Sequence, residues 1–126
     1  SRMKSSVRFV TDGSEGFFRR AKETARALDK GEVPRGEITV SYESPDEMMR
    51  VLSAARVRVL ENVKQGAKPI PVLARKLKRN LSAVKRDIVI LERAGLVSTR
   101  LEVNAGHGKH RIVAPLAGQY HFSLTI

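Results

Sequence analysis

The N-terminal part of the chain shows two hydrophobic periods. Apolar residues in Ser14–Lys30 lie three and four positions apart, which predicts an amphipathic helix, and a short strand is predicted before it at Val7–Val10. Ile38, Val40 and Tyr42 then alternate with polar residues, as in a strand with one buried face. Residues 1–43 are therefore expected to form a strand–helix–strand module.

Four helices are predicted in the next part of the chain, each from a residue that can cap or open it. Ser44, Ser53 and Asn80 are natural N-caps, and Pro71 suits the first turn of a helix. The expected helices follow Ser44, span 54–65, span 72–78 and run from Asn80 to Ala94. Their apolar residues expected to face inward are Val57, Val59, Leu60, Val63, Val72, Leu73, Leu77, Leu81, Val84, Ile88 and Leu91.

After Gly95 the hydrophobic period becomes that of a strand. Val97–Val103 and Lys109–Ala114 flank a glycine-containing turn, which predicts a hairpin. Short helices followed by a hairpin are the plan of a winged helix-turn-helix domain, here placed at 44–115, and alternation within 116–126 predicts a C-terminal strand. The expected fold class is α+β: a winged helix-turn-helix with an added N-terminal strand–helix–strand and a C-terminal strand.

Three motifs resemble those of MarR-like regulators. Leu73–Lys78 resembles their second helix, Ser82–Arg86 the start of their recognition helix, and Leu91–Val97 the segment where that helix meets the wing. The turn before the recognition helix departs from this pattern, because Lys78 replaces a glycine and Arg79 an apolar residue.

A narrower resemblance rests on the set Val84, Arg86 and Asp87 together with the strand and capped helices before it. This combination resembles small prokaryotic winged-helix regulators first described from haloarchaeal genomes. The resemblance covers residues 38–115 and implies a repressor or the antitoxin of a toxin–antitoxin pair.

The charge of the chain is unevenly distributed. It carries 24 lysine and arginine residues against 13 aspartate and glutamate residues, a net charge of +11. Most of the excess lies in 44–126, and the stretch 62–86 contains no acidic residue. Ordinary surfaces mix both signs, so this stretch is typical of a phosphate-binding surface, with a solvated helical face as the alternative. Double-stranded DNA is the expected partner, and a basic RNA-binding module is the competing interpretation.

The candidate site follows from placing the last predicted helix in the major groove, where its first turns face the base edges. Base readout is expected from Asn80, Ser82, Ala83, Lys85 and Arg86. Phosphate contacts are expected from Arg75, Lys76, Lys78 and Arg79, and wing contacts from Lys109, His110 and Arg111. Asp87 is expected to form an ion pair with a nearby basic side chain, such as Arg86 or one from the second helix.

The terminal elements are expected to form a dimerisation or partner module. A lone strand cannot bury one apolar face, so the C-terminal strand must pair with the N-terminal strands or with a second chain. The residues expected at this interface are Phe17, Phe18, Tyr120, Phe122, Leu124 and Ile126. The expected partners are DNA, a second copy of the chain and, for an antitoxin, a co-encoded toxin.

Several functions are disfavoured by residues that the sequence lacks. Cysteine is absent, which excludes disulfides, thiol catalysis and cysteine-bound zinc. His107 and His110 have an H-x-x-H spacing but lie on a glycine-rich turn, so no metal is expected there. No catalytic set, cofactor motif or membrane-spanning apolar run is visible. The sequence therefore predicts a cytoplasmic, non-enzymatic transcriptional regulator, a homodimeric repressor, with an antitoxin as the alternative.

Overall fold

The computed structural model of the protein describes residues 5–9, 36–104, 106 and 108–126. The helix expected over Ser14–Lys30, with Phe17 and Phe18, lies outside these residues, and so does His107. The described part of the chain combines helices with two three-stranded sheets, which confirms the α+β class.

The helices and strands of the described residues follow one another without long connections after residue 36. In chain order they are β1 (Ser5–Phe9), β2 (Glu37–Tyr42), α1 (Pro45–Val51), α2 (Ala54–Lys64), β3 (Lys68–Pro69), α3 (Ile70–Leu77), α4 (Leu81–Arg93), β4 (Val97–Asn104), β5 (Gly108–Pro115) and β6 (Gln119–Leu124).

The elements α2 to β5 form a winged helix-turn-helix. The hairpin β4–β5 is the wing, with Val97 opposite Pro115 at its base and Asn104 opposite Gly108 near its tip. The short strand β3 pairs with the other edge of β5, which gives the sheet order β3-β5-β4. Because β3 lies between α2 and α3 in the chain, its pairing with β5 connects these two helices to the base of the wing.

The helix starts agree with the predicted caps in three places. Ser44, Ser53 and Asn80 each accept a hydrogen bond from a backbone N–H two or three residues later. Helix α3 begins earlier than expected, at Ile70, with Pro69 in the N-cap position. Ile70 is buried, so core packing rather than a polar cap defines the start of this helix.

Three apolar residues expected to face the core are partly exposed instead. Val57, Val72 and Leu81 expose 37%, 39% and 38% of their surface. In α2, Val59 is fully buried whereas Val57 is exposed. The buried stripe of this helix therefore begins two residues later than the sequence pattern suggested. The stripe of α4 likewise begins at Val84 rather than at Leu81.

A second sheet joins strands from the two ends of the described chain. β1 pairs antiparallel with one edge of β2, and β6 pairs parallel with the other edge. Ile38 lies beside Tyr120, and Tyr42 lies beside Leu124. Of the two arrangements expected for the C-terminal strand, the structure therefore shows pairing within the same chain.

One hydrophobic core runs through both sheets. The inner residues of β2 belong to the same buried cluster as the inner residues of the winged helix. Its members are Ile38, Val40, Tyr42, Val59, Leu60, Val63, Ile70, Leu73, Ala74, Val84, Ile88, Leu91, Leu96, Val97, Val113, Leu116 and Ala117. Packing is thus continuous across the module boundaries that the sequence suggested at residues 43 and 115.

Candidate nucleic-acid interface

One side of helix α4 packs on the core, and the opposite side, called the open side below, is exposed to solvent. Val84, Ile88 and Leu91 are buried in the core. The exposed or half-exposed side chains on the opposite side are Ser82, Ala83, Lys85, Arg86, Val89, Ile90 and Arg93. All four base-reading candidates within α4 therefore lie on a helix side that is free to meet a ligand.

Asn80 stands just before this helix and uses its side chain locally. Its Oδ1 accepts a hydrogen bond from the backbone N–H of Ser82 at 2.8 Å. This bond satisfies one of the free donors in the first turn and stabilises the helix start. A base contact by Asn80 would therefore have to use its amide NH2 group.

Asp87 is the centre of a buried polar network on the inner side of α4. Its carboxylate, 9% exposed, accepts from Arg56 Nη1 at 3.2 Å and from Arg79 Nη1 at 2.6 Å. The expected ion pair of Asp87 is present, but Arg86 was the wrong partner: Arg86 is exposed on the outer side of α4, and the two arginines come from α2 and from the turn after α3. Because the carboxylate is neutralised and turned inward, it does not repel an anion bound at the outer side.

Arg56 extends this network toward the N-terminal half of the chain. Its Nε and Nη2 donate to the carbonyl oxygens of Val51 and Arg50 at 2.8 and 2.6 Å. Carbonyl groups in the last turn of a helix lack partners within it, so Arg56 satisfies two free acceptors of α1. Together, Asp87 and Arg56 fix α4 relative to α1 and to the turn between α3 and α4.

The candidate phosphate ligands fall into two groups. Arg75, Lys76 and Lys78 are exposed, and Lys78 takes the left-handed conformation with φ 54° and ψ 45°. Arg79 is held beside Asp87 and is 29% exposed, so only part of its guanidinium can reach a phosphate. Burial and, to a smaller extent, the positive charge of Lys76 lower the pKa of Lys68.

The wing presents two different faces. Lys109 and Arg111 lie opposite Val103 and Leu101, on the face that continues from the α4 side of the core. His110 alternates to the other face. The three wing residues predicted from the sequence therefore lie on two faces: Lys109 and Arg111 on the side of α4, and His110 on the other side.

A cleft of about 320 Å³ lies between α4 and the wing. Glu92 at its edge accepts hydrogen bonds from the backbone N–H and hydroxyl of Thr99 at 2.9 and 2.8 Å, and Arg111 donates to the same hydroxyl at 3.3 Å. Lys85 and Arg111 line the cleft, and its floor is apolar, with Ile88 among its residues. The Glu92–Thr99 contact holds the wing at a fixed distance from α4 and keeps two cations on either side of the gap.

The aromatic residues of β6 lie away from this surface. Tyr120, Phe122 and Leu124 are partly buried and pack against the core of their own chain. Ile126 is fully exposed at the end of the chain. A dimer or partner contact through these residues stays a prediction, and it would have to use the parts of them that the core leaves exposed.

The HVO_A0114 family model matches residues 51–117, just over half of the chain. The chain belongs to the HVO_A0114 family. The matched segment contains every element of the winged helix, including α4 with Arg86 and both strands of the wing. In this member of the family, the surface assembled above is therefore part of the family's shared segment.

Other comparisons add little to the family assignment. A protein described as a "possible transcriptional regulator" from Methanosarcina mazei Go1 resembles the chain with a TM-score of 0.48 and 19% sequence identity. The alignment covers 56% of this chain and 62% of that one, so the chain spans less than two thirds of its structural neighbour. No curated protein matches the chain.

The described residues show neither a metal-binding cluster nor a membrane-spanning helix. Among them, no group of three or more histidine, cysteine, aspartate or glutamate side chains is placed to hold a metal ion. No described helix has the length and apolar character needed to cross a membrane.

Four residues of this surface and of the polar network beneath it were not predicted from the sequence. Val89 and Arg93 lie on the open side of α4, and the helical period that predicted this helix places both of them opposite the buried stripe. Glu92 and Arg56 act through contacts distant in sequence, for which the chain gives no local signal.

Proposed function

We propose that the protein is a transcriptional regulator that binds specific sites in double-stranded DNA by placing α4 in the major groove. One observation carries the proposal: on the side of α4 that the core leaves open, the first turns of the helix belong to the acid-free, basic stretch 62–86. An anchored helix with an open polar side and flanking cations fits the width of the major groove. No cofactor and no catalytic residue is needed for this activity.

Two parts of the surface serve different tasks in this proposal. Side chains at the start of α4, Ser82 and Arg86 in particular, reach base edges and select the sequence. Cations around them, Lys76 on α3 and Lys85 and Arg111 at the cleft, hold phosphates on either side of the groove. The Glu92–Thr99 contact keeps these two groups in a fixed relation.

The oligomeric form proposed is a homodimeric repressor. One α4 helix reads only one half-site, and two copies related by a two-fold axis would read a palindromic operator. An antitoxin that represses its own operon would use the same DNA surface, and it would in addition copurify with a co-encoded protein.

The proposal is tested by footprinting the full chain on DNA and titrating its preferred site against random duplexes at several salt concentrations. Six to ten neutralised phosphates would lower the affinity by about 10³–10⁵ between 50 and 200 mM salt. Arg86→Ala should weaken the preferred site by about tenfold or more and leave random DNA nearly unchanged, whereas Lys76→Ala should weaken both equally.

Arg58→Ala is the matched control, because Arg58 is an exposed arginine on α2, outside the proposed surface. It should leave both affinities within twofold of the wild type. Binding that does not change with salt, or tighter binding to single-stranded RNA than to any duplex, would overturn the proposal.

A further inference from the structure

A polar stripe on the open side of α4 contains one apolar residue, Val89. Ser82, Arg86, Val89 and Arg93 lie within about 60° of one another around the helix at 3.6 residues per turn. Val89 is 43% exposed, although the core contacts of α4 are already made by Val84 and its neighbours in the buried stripe. Val89 also lines the cleft between α4 and the wing, so its exposed part is open to a ligand that lies against this side of the helix.

The major groove offers one apolar group to such a side chain. Of the four bases, only thymine presents a methyl group on its major-groove edge, whereas the other edges present hydrogen-bond donors and acceptors. Val89 follows Arg86 by three residues, about 4.5 Å along the helix axis, which is close to the rise of about 3.4 Å between base pairs. The two side chains are thus spaced to meet neighbouring base pairs.

We propose that Val89 is a specificity-determining residue that contacts the C5-methyl group of a pyrimidine next to the base pair met by Arg86. This inference rests on the proposed function, since it requires α4 to lie in the major groove. Cytosine lacks the methyl group and 5-methylcytosine carries it at the same place. Binding should therefore respond to C5 methylation of the operator, independently of the hydrogen-bonding pattern of the bases.

The test removes the methyl group from the DNA and from the protein in turn. Thymines of the preferred duplex are replaced one at a time by deoxyuridine, which leaves the hydrogen-bonding edges unchanged. At one position the wild-type chain should lose about 3- to 10-fold in affinity, the size expected for an apolar contact of one methyl group. Val89→Ala should lose a similar factor on the thymine duplex and show no further loss on the uracil duplex.

Val57→Ala is the matched control, because Val57 is similarly exposed on α2, at 37%. It should respond to the uracil duplex as the wild type does. At the same position, cytosine should bind more weakly than 5-methylcytosine to the wild type and equally well to Val89→Ala.

Two results would overturn the inference while leaving the proposed function intact. One is a preferred site at which no thymine can be replaced by deoxyuridine with a loss of affinity. The other is a Val89→Ala chain that loses the same factor as the wild type on the uracil duplex. A chain that binds no duplex preferentially would overturn the inference and the proposed function together.

Discussion

The winged helix and the terminal sheet of this chain are built from different kinds of contact. In α2–β5, several packed elements follow one another in sequence, as in the β4–β5 hairpin, and β3 pairs with β5 from farther along the chain. In the terminal sheet, β2 and β6 pair in parallel, and the hydroxyl groups of Ser41 and Ser123 meet at 3.3 Å across a sequence separation of 82 residues. Closing such a long segment costs chain entropy that local elements do not incur.

Two joints make the regions depend on each other. Tyr120 of β6 donates to the carbonyl of Leu96 at 2.6 Å and accepts from the N–H of Leu116 at 3.0 Å, both beside the wing. At a second place, Arg56 connects the end of α1 to Asp87 of α4. The winged helix, which local sequence motifs predict, is therefore connected to a sheet whose strands lie far apart in sequence.

Deletion of Gln119–Ile126 is expected to have the largest effect. It removes three apolar side chains that pack on the core and leaves one edge of β2 unpaired. Each large apolar side chain contributes about 1.5–3 kcal/mol on burial, so the loss is on the order of 5 kcal/mol or more. Since many domains have only about 5–15 kcal/mol of stability, the winged helix should unfold with the sheet, as measured by circular dichroism and by amide exchange of the wing.

Removal of Ile126 alone is the control for this deletion. Ile126 is fully exposed, so its loss should leave the unfolding midpoint unchanged. If the longer deletion unfolds only β1 and β2 and leaves the amides of β4 and β5 protected, the two regions are separate folding units and share no essential core.

Replacing Asp87 by alanine should have the next largest effect. The change leaves two arginine side chains, 16% and 29% exposed, without their shared carboxylate. Removing one partner of a buried ion pair costs about 3–5 kcal/mol, and the lower end is expected because Arg79 can turn toward water. Urea unfolding at pH 7 measures the loss.

Glu61→Ala is the control for Asp87, because Glu61 is exposed on α2, the helix that carries Arg56. A surface change of this kind should stay within about 0.5 kcal/mol. Equal midpoints for the two variants would show that the polar joint contributes no stability and that the apolar core alone holds α4 in place.

Most of the winged helix could be predicted from the sequence, whereas most of the joints could not. Ser53, Asn80 and the buried stripe of α4 act within a few residues, so periodicity and capping reveal them. The partners of Asp87 depend on the crossing of helices, which no local pattern encodes. A strand at residues 119–126 was predicted from alternation, but its partner and direction were left open because alternation fixes only which face is buried.

Replacing Tyr120 by phenylalanine should weaken the joint between β6 and the wing by a smaller amount. The change leaves the Leu96 carbonyl and the Leu116 N–H without their partner, at a cost of about 1–2 kcal/mol. The difference between wild type and variant is read from urea midpoints at pH 7.

The same variant alters the response to alkaline pH. Burial raises the pKa of Tyr120 above its ordinary value, so the folded state holds this proton more tightly than the unfolded state. The resulting stability is complete below the unfolded pKa of about 10 and is lost as the pH rises through the folded pKa. Tyr120→Phe should therefore lose less stability than the wild type above pH 10. Burial also raises the pKa of Tyr42, which is present in both proteins and contributes equally to their pH dependence. Identical slopes of stability against alkaline pH for the wild type and the variant would therefore contradict the role of Tyr120.

Lys78→Gly should have the smallest effect, and it should be stabilising. A left-handed conformation costs an L-residue about 1–2 kcal/mol, and glycine avoids this strain while losing about 0.5–1 kcal/mol of additional backbone entropy. The free energy of unfolding should therefore rise by about 0.5 kcal/mol, which is measured as a small increase in the thermal midpoint. Lys76→Gly removes the same charge from within α3 and should instead destabilise the chain by about 1 kcal/mol. The two variants separate the effect of backbone strain from the effect of charge. Opposite shifts in stability, with a similar weakening of duplex binding, would support a strained backbone at Lys78. A loss of stability in both variants would show that the lysine side chain itself holds the turn.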